Sequence, residues 1–302
     1  MSAASLRALL TRSIDYAGMF PPCSLELEPA LANQAEYTRS ADSWMLSAFV
    51  LPVAKFGEAA RFISRFDKHH PLRVSALGPK TETAAAFQSE LQNALEAIRG
   101  FQQQHRDLVS VGQLEMVLPK DVDLSKLTEA AKLLGDLKVQ AFWETPAESA
   151  EQTIRLLARA NHPSFGYKLR TGGLIADAFP SSVQIGRAIL ASTKHHVPIK
   201  FTAGLHHPVR QFRDEVKTEM HGFLNVVGAG VLSAEHHWDE AQTVDMLEDQ
   251  SAKSFEFHDT VFAWRDWEIT LDRIKARRKF ITSFGSCSFD EPREDLRSLN
   301  FL

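Results

Sequence analysis

Short apolar runs alternate with longer amphipathic stretches over most of the 302 residues of this chain. An apolar run bounded by turn residues predicts a buried strand, and apolar residues at helical spacing predict a helix. Eight strand candidates follow one another at residues 13–17, 44–52, 72–79, 109–119, 139–146, 165–172, 197–204 and 222–230. Helical candidates lie at residues 26–40, 55–68, 80–105, 124–135, 147–161, 180–194, 208–219 and 238–249.

Eight strands separated by helices within about 250 residues predict an α/β fold, a single (β/α)8 barrel of the TIM type with a C-terminal extension. An open, doubly wound parallel sheet is the alternative architecture. No glycine-rich dinucleotide or phosphate loop follows the first strand candidate, which disfavours the open sheet. We therefore expect residues 1–250 to form the barrel and residues 251–302 to form an extension that packs on the barrel or on a partner subunit.

The composition excludes several classes of protein. A hydrophobic content of 44% and a charged content of 24% are typical of soluble globular proteins. The net charge of −4 and the scattered cations give no reason to expect binding to nucleic acid. The longest apolar stretch, residues 44–54, is too short to span a bilayer, so we expect no membrane association. Cys23 and Cys287 form no ligand or redox motif, which suits a reducing cytoplasm. The sequence leaves homo-oligomer formation open.

Two lysines lie near the ends of strand candidates that are otherwise apolar. Because side chains alternate across a strand, Lys168 and Arg170 share one face of the sixth strand, and Lys200 and Thr202 share one face of the seventh. The lysines are 32 residues apart, about one strand–helix–strand unit, so a parallel sheet would bring them side by side. Adjacent ammonium groups disfavour each other's protonated form. We therefore expect one lysine to have a lowered pKa and to act as a nucleophilic amine.

Other polar side chains interrupt apolar strand candidates and are expected at the same end of the barrel, where TIM-barrel active sites lie. They are Asp15, Glu115, Glu144 and Asn225. Together with the cations they predict a cluster that is balanced in charge, since an isolated buried charge is costly. A salt-bridged barrel interior without chemistry is the structural alternative, but such clusters at this face are usually functional.

His206 and His207 follow the seventh strand candidate directly. Either histidine can act as a general acid or base or bind substrate. One of them, together with Glu115 or Glu144, can also form a divalent-metal site. A helix-terminal turn, in which one histidine bonds to nearby backbone, is the structural alternative.

Several short motifs resemble those of the deoxyribose-phosphate aldolase group of class I aldolases over about residues 13–232. The likeness covers the Ile-Asp pair of the first strand, the acid before Met-Val of the fourth strand and the Glu-Thr pair of the fifth. The sixth strand matches a pattern in which a lysine is followed by any two residues and then by threonine and glycine. In the seventh strand the family has two residues between its lysine and its glycine, whereas this chain has three. The matching segments are Ile14–Asp15, Glu115–Val117, Glu144–Thr145, Lys168–Gly172 and Lys200–Gly204.

This resemblance implies roles for three residues. Lys168 corresponds to the lysine that forms the Schiff base, and Lys200 to the lysine that lowers its pKa. Glu115 corresponds to an acid of the proton relay, where the family uses aspartate. The iminium formed on such a lysine is an electron sink for making or breaking a carbon–carbon bond, while a carboxylate or its bound water moves the proton.

The chain departs from the family pattern around the expected anion site. Arg170 stands where the family has a small hydroxyl residue, and it could clamp a carboxylate or phosphate with two hydrogen bonds. Gly204-Leu-His-His-Pro208 replaces the glycine pair that helps the family to bind phosphate. The eighth strand candidate carries Asn225 and lacks the family's serine. These differences predict a substrate other than the family's own, such as an oxo acid or a sugar derivative.

The leading interpretation is a Schiff-base aldolase or lyase that acts on a small anionic carbonyl compound, sugar-phosphate or oxo-acid-like, without metal or organic cofactor. Lys168, Lys200 and Glu115 are expected to be catalytic. The expected substrate-binding residues are Asp15, Glu144, Arg170, Thr202, His206, His207 and Asn225. One alternative is a divalent-metal-dependent lyase or isomerase that uses Glu115, Glu144 and the His206–His207 turn. The other is a non-catalytic barrel that binds an anionic metabolite.

Overall fold

A computed structural model describes residues 2–302, and eight of its strands form a closed parallel barrel. The strands of the chain are β1 (Ile14–Tyr16), β2 (Leu46–Pro52), β3 (Leu72–Leu77), β4 (Val109–Val117), β5 (Gln140–Glu144), β6 (Phe165–Arg170), β7 (Ile199–Thr202), β8 (Gln211–Arg213), β9 (Thr218–Met220), β10 (Phe255–Phe257), β11 (Val261–Trp264), β12 (Trp267–Thr270) and β13 (Ile281–Ser286). The order around the barrel is β1-β13-β7-β6-β5-β4-β3-β2. The predicted closed barrel is confirmed, and the open-sheet alternative is wrong.

Helices connect most of the barrel strands and cover the outside of the barrel. They are α1 (Ala4–Leu10), α2 (Leu27–Tyr37), α3 (Phe56–Ala59), α4 (Ala84–His105), α5 (Leu124–Leu134), α6 (Ala150–Ala160), α7 (Ser182–His195), α8 (Phe223–His236), α9 (Glu240–Glu248), α10 (Leu271–Arg277) and α11 (Asp290–Ser298). Among residues 2–302, no helix combines the length and the apolar character that crossing a membrane would require.

Local sequence signals explain where several of these helices begin. The Ser181 hydroxyl accepts a hydrogen bond from the backbone N–H of Gln184, whose side chain bonds back to the backbone of Ser181. This capping box satisfies N–H groups that the first turn of α7 would otherwise leave unpaired. Thr83 and Asp123 cap α4 and α5 with the same kind of side-chain bond. The start predicted near residue 180 is therefore confirmed.

The eighth predicted strand is wrong. Residues 223–236 form α8, and its residues from Phe223 to Ser233 are all buried. A helix that is apolar on every side shows no amphipathic period, so a glycine-bounded apolar run of this kind resembles a strand. The helix predicted at residues 208–219 is also wrong, because β8 and β9 form an antiparallel hairpin there.

Strand β13 closes the barrel instead, pairing with β1 on one side and with β7 on the other. The boundary expected at residue 250 therefore does not separate the barrel from the remainder of the chain. Residues beyond 250 also add the antiparallel sheet β10-β11-β12 and the helices α10 and α11. Packing of this segment on a partner subunit stays a prediction.

The register of β6 and β7 brings the two lysines together. Lys168 lies opposite Lys200, and Arg170 lies opposite Thr202. The predicted side-by-side arrangement of the lysines is confirmed. Gly166, two residues before Lys168, makes room for a neighbouring ring, because a Cβ there would lie 2.7 Å from Phe142. The Phe142 ring in turn lies 5.2 Å from Nζ of Lys200.

Candidate active site

A cavity of about 330 Å³ opens at the carboxyl ends of the barrel strands. Its polar lining includes Glu115, Lys168, Arg170, Thr202 and His206. Apolar and small residues from the strands and from the loops that follow them complete the wall, among them Phe20, Pro21, Pro22, Val50, Leu77, Leu174 and Gly204. Five of the predicted site residues therefore line one cavity at the face where TIM barrels carry out chemistry.

Lys168 lies in the wall of this cavity and is only 6% exposed. Its Nζ is 2.8 Å from Oε2 of Glu115 and 2.8 Å from Oε2 of Glu144. Burial by itself lowers the pKa of this ammonium group, but the two carboxylates outweigh burial, and the pKa of Lys168 is raised above its ordinary value. In the resting protein Lys168 is therefore a paired ammonium ion.

Lys200 is fully buried and has a different set of partners. Its Nζ lies 2.8 Å from Oδ2 of Asp15 and 2.6 Å from Oε1 of Glu115. It also donates to Oε1 of Gln113 at 2.6 Å and to Oγ of Ser75 at 3.4 Å. Four acceptors around one ammonium group satisfy the requirement that a buried charge be paired and hydrogen-bonded.

Glu115 joins the two lysines, since one carboxylate oxygen faces Lys168 and the other faces Lys200. Burial raises the pKa of Glu115, but the charges of Lys168 and Lys200 outweigh burial and hold its pKa well below the ordinary range. Glu115 is thus an ionised carboxylate in a buried position. It is placed to exchange a proton with the lysine that lines the cavity.

The expected lowering of the Lys168 pKa by Lys200 is wrong for the resting protein. The buried cluster holds three carboxylates (Asp15, Glu115 and Glu144) against two ammonium groups, and Lys168 itself contacts two of the carboxylates. The repulsion expected from Lys200 is offset because Glu115 contacts both lysines. The predicted cluster of carboxylates and lysines is present, but it carries one more carboxylate than ammonium group and stabilises the protonated form of Lys168.

The sequence interpretation missed the neutral side chains that complete this network. Ser283 donates to Oδ2 of Asp15 at 2.6 Å, and Ser75 donates to Oε1 of Glu115 at 2.6 Å. Gln113 lies two residues before Glu115 on β4 and opposite Ser75 of β3, so it shares the barrel-facing side with Glu115. Because side chains two residues apart on a strand share a face, the position of Glu115 could have predicted Gln113 as a member of the site. Ser283 could not be found, because β13 was not among the predicted strands.

Arg170 and Thr202 line the cavity and carry polar groups that have no partner among the described residues. Arg170 is exposed and lines the cavity, and no ion pair or side-chain hydrogen bond of its guanidinium occurs among residues 2–302. Oγ1 of Thr202 is buried and likewise has no hydrogen-bond partner within the described chain. A cation and a hydroxyl with unused hydrogen-bonding capacity are suited to an anionic, oxygen-rich ligand.

The two histidines after β7 contact α11. Nδ1 of His206 lies 2.9 Å from Glu291, and Nδ1 of His207 lies 2.6 Å from Asp295. The hydrogen bond from His206 is the main cause that lowers the pKa of Glu291. His206 lines the cavity. Neither carboxylate partner was predicted, because each lies more than 80 residues away in the chain, at separations of 85 and 88.

The contacts of the histidines do not support the predicted metal alternative. Their Nδ1 atoms face Glu291 and Asp295, and the carboxylates of Glu115 and Glu144 are paired with lysines. Within residues 2–302, no group of three or more His, Cys, Asp or Glu side chains is arranged to hold a metal ion.

Asn225 is not part of the site, contrary to the prediction. It lies fully buried in α8, where its Nδ2 donates to the backbone oxygens of Met246 and Asp249, and its Oδ1 accepts from the backbone N–H of Arg210. These three bonds tie α8 to the end of α9 and to the loop before β8. The residue was misplaced because its segment is a helix and not the eighth strand.

No protein-family model matches the chain, and no curated protein sequence is significantly similar to it. Among solved structures, it is similar to a crystal structure of a "putative deoxyribose-phosphate aldolase" from Toxoplasma gondii ME49. That likeness has a TM-score of 0.51 and 11% sequence identity, and it covers 98% of this chain and 96% of the other. An apo-form structure under the same description gives a TM-score of 0.49 and 11% identity, with coverage of 98% and 97%. The distant resemblance inferred from the motifs is confirmed at the level of the fold.

Proposed function

We propose that the protein is a Schiff-base-forming carbon–carbon lyase of the aldolase type, with Lys168 as its nucleophile and a small anionic carbonyl compound as its substrate. One observation carries this proposal. Lys168 lines the cavity at the carboxyl ends of the strands, and its Nζ lies between two carboxylates that can take its proton. Lys200, by contrast, is fully buried.

The raised pKa of Lys168 means that imine formation must begin with a proton transfer. Glu115 and Glu144 are the proton acceptors in direct contact with Nζ of Lys168. Lys200 remains protonated and in contact with Glu115 during this transfer. The neutral amine then attacks the carbonyl carbon, and a proton moves from its nitrogen to the former carbonyl oxygen to give the carbinolamine. The same carboxylic acid returns the proton to the carbinolamine oxygen, which leaves as water and gives the iminium.

The iminium draws electrons out of the neighbouring carbon–carbon bond. As that bond breaks, its electron pair moves to the iminium to form an enamine, and a carboxylate or a water that it holds takes the proton of the β-hydroxyl group. The hydroxyl carbon becomes the carbonyl of the released fragment. The enamine is then protonated at carbon, and water hydrolyses the imine to free Lys168 and the second fragment.

The lining of the cavity supports a small anionic substrate. Arg170 can bind a carboxylate or phosphate with two hydrogen bonds, and Thr202 lines the same cavity beside it. A volume of about 330 Å³ lies at the lower end of the range for small-molecule sites. An oxo acid or a short phosphorylated sugar matches both the charge and the size.

Reductive trapping tests the proposal directly. Purified protein is incubated with borohydride and single members of a panel of small aldehydes, oxo acids and sugar phosphates, and the adduct is located by intact-mass and peptide mass spectrometry. We expect a stable adduct on Lys168 that is lost in Lys168→Ala and retained in Lys120→Ala, a variant of an exposed lysine. An adduct on Lys200 alone would make Lys200 the nucleophile and Lys168 the neighbouring cation. Absence of any adduct would contradict the lyase.

A non-catalytic anion-binding barrel is the second candidate, and the raised pKa of Lys168 favours it. A lysine held as an ammonium ion beside Arg170 would attract an anion without reacting with it. Saturable binding of oxo acids or sugar phosphates in calorimetry, without turnover or trapped adduct, would support this candidate over the lyase.

A further inference from the structure

Cys23 and Cys287 are the two cysteines of the chain, and their sulfur atoms lie 3.0 Å apart. The residues are separated by 264 positions in the sequence. Cys23 belongs to the loop between β1 and α2, and Cys287 follows the last residue of β13. Because β1 and β13 pair in the barrel, the segments that follow them emerge side by side. Both sulfurs are present as free thiols.

The two thiols differ in their surroundings. Cys23 is exposed, whereas Cys287 is 6% exposed. Burial and, to a smaller extent, the neighbouring Cys23 together raise the pKa of the Cys287 thiol to about 12. Nδ1 of His206 lies 3.9 Å from the Cys287 sulfur, but the same nitrogen is engaged by Glu291 at 2.9 Å. Cys287 is thus a protected thiol in contact with an accessible one.

We propose that Cys23 and Cys287 are a redox modification site, in which a hydroperoxide converts the pair into a reversible disulfide across the mouth of the cavity. The geometry carries this proposal, since two sulfur atoms already in contact need only small side-chain movements to bond. It is independent of the lyase chemistry, because neither thiol is assigned a part in imine formation.

The reaction balances with one hydroperoxide as the two-electron oxidant. The Cys23 thiolate attacks the peroxide oxygen and breaks the O–O bond, giving a sulfenic acid and, from hydrogen peroxide, one water. The Cys287 sulfur then attacks the sulfur of this sulfenic acid. The S–O bond breaks, the S–S bond forms and a second water leaves. A dithiol reductant reverses the change.

The disulfide would join two segments that both line the cavity. Phe20, Pro21 and Pro22 precede Cys23 and belong to the wall, as does Cys287 itself. Linking them fixes the loop after β1 to the carboxyl end of β13. The covalent link would therefore restrict the motion of one side of the cavity mouth in oxidised protein.

Intact-mass spectrometry with hydrogen peroxide tests the proposal on the full chain. We expect the reduced protein to lose the mass of two hydrogen atoms, to stay a single chain and to regain that mass with dithiothreitol. A non-reducing digest should yield one peptide pair linked through Cys23 and Cys287. Oxidised protein should melt several degrees higher and exchange the backbone amides of residues 18–26 more slowly, because the link constrains the loop and the unfolded chain.

Matched single variants separate the two thiols. In Cys287→Ser, oxidation of Cys23 should stop at a sulfenic acid that dimedone captures, without a gain in melting temperature. In Cys23→Ser, the buried Cys287 should remain unmodified at the same peroxide dose. The proposal is overturned if the unaltered chain gains oxygen without losing hydrogen, if Cys23 links two chains instead, or if peroxide leaves both thiols reduced.

Discussion

Lys168 lies directly opposite Lys200 in the register of β6 and β7, and Glu115 holds both ammonium groups, at 2.8 Å and 2.6 Å. Two cations that would repel each other are thereby joined through one anion. Because the lysines share this carboxylate, a change in the protonation of one alters the field at the other.

Lys168 should lose its proton only at a higher pH than an ordinary lysine. Since its pKa is raised, the reactive amine fraction at any lower pH is smaller than that of an ordinary lysine, and reactivity should rise only at high pH. Trace labelling with acetic anhydride between about pH 7 and 11, read by peptide mass spectrometry, gives a midpoint for each lysine. We expect the midpoint of Lys168 to exceed the value of about 10.4 that is typical of a free lysine side chain. A lower midpoint for Lys168 would contradict the ion-pair description.

Glu144→Gln should lower the pKa of Lys168. This substitution removes one of the two carboxylates that lie 2.8 Å from Nζ and leaves Glu115 as a proton acceptor. An opposite charge at such a distance shifts a pKa by ~1–3 units, so the labelling midpoint should fall by a similar amount. Trapping at neutral pH should become faster. The exposed Glu148→Gln on the following loop is the control and should leave the midpoint unchanged.

Lys200→Met should destabilise the protein strongly. The substitution removes the ammonium group that neutralises Asp15 and contacts one carboxylate oxygen of Glu115 in a fully buried site. Because breaking a buried ion pair leaves a buried charge unpaired, the free energy of unfolding should fall by about 3–5 kcal/mol. Urea denaturation at neutral pH gives the free energy of unfolding. The double variant Asp15→Asn/Lys200→Met should recover much of the loss, which a double-mutant cycle measures.

The solvent-exposed pair Lys55–Glu58 offers a matched comparison for that experiment. Lys55→Met removes a lysine from a similar short-range ion pair, but water screens the pair, so its cost should be far smaller than that of Lys200→Met. Equal losses for Lys55→Met and Lys200→Met would contradict the idea that burial determines the cost.

Arg170→Gln should weaken the recognition of anionic substrates selectively. A charge-assisted hydrogen bond contributes about 1.5–3 kcal/mol, which corresponds to roughly a 10- to 100-fold loss in the efficiency of trapping an oxo acid at low concentration. Trapping of an uncharged aldehyde such as propanal should change little, because it offers no partner for the guanidinium. Equal losses for both compounds would show that Arg170 acts on the fold or on Lys168 and not on the ligand anion.

The local pattern was sufficient to predict seven barrel strands and the pairing of the two lysines. Each of those strands is a short apolar run between turn residues, and strand alternation fixed the common face of Lys168 and Arg170. The eighth strand was misassigned, because β13 contains serine, threonine and glycine while α8 is apolar on every side. The hydrophobicity of α8 indicates burial but does not distinguish a buried helix from a buried strand, and β13 is too polar for its burial to be recognised from hydrophobicity.

The partners of the site residues were harder to predict than the residues themselves. Glu291 and Asp295 reach the histidines from α11, and Cys287 reaches Cys23 across the barrel closure. Such contacts depend on which strands are neighbours, and the position of β13 was not foreseen. The predicted direction of the Lys168 pKa shift was wrong for a related reason. The strand pattern identified Glu115 and Glu144 as site residues, but it did not show that both carboxylates contact Nζ of Lys168.

The late position of β13 has a consequence for how the protein is made. A ribosome must release residue 286 before the barrel can close, because β13 pairs with both β1 and β7. Until then, a nascent chain that has folded its first seven strands carries two unpaired sheet edges, which are prone to associate with other chains. Translation that stops near residue 250 would yield this open intermediate, which would be a client for chaperones instead of a closed barrel.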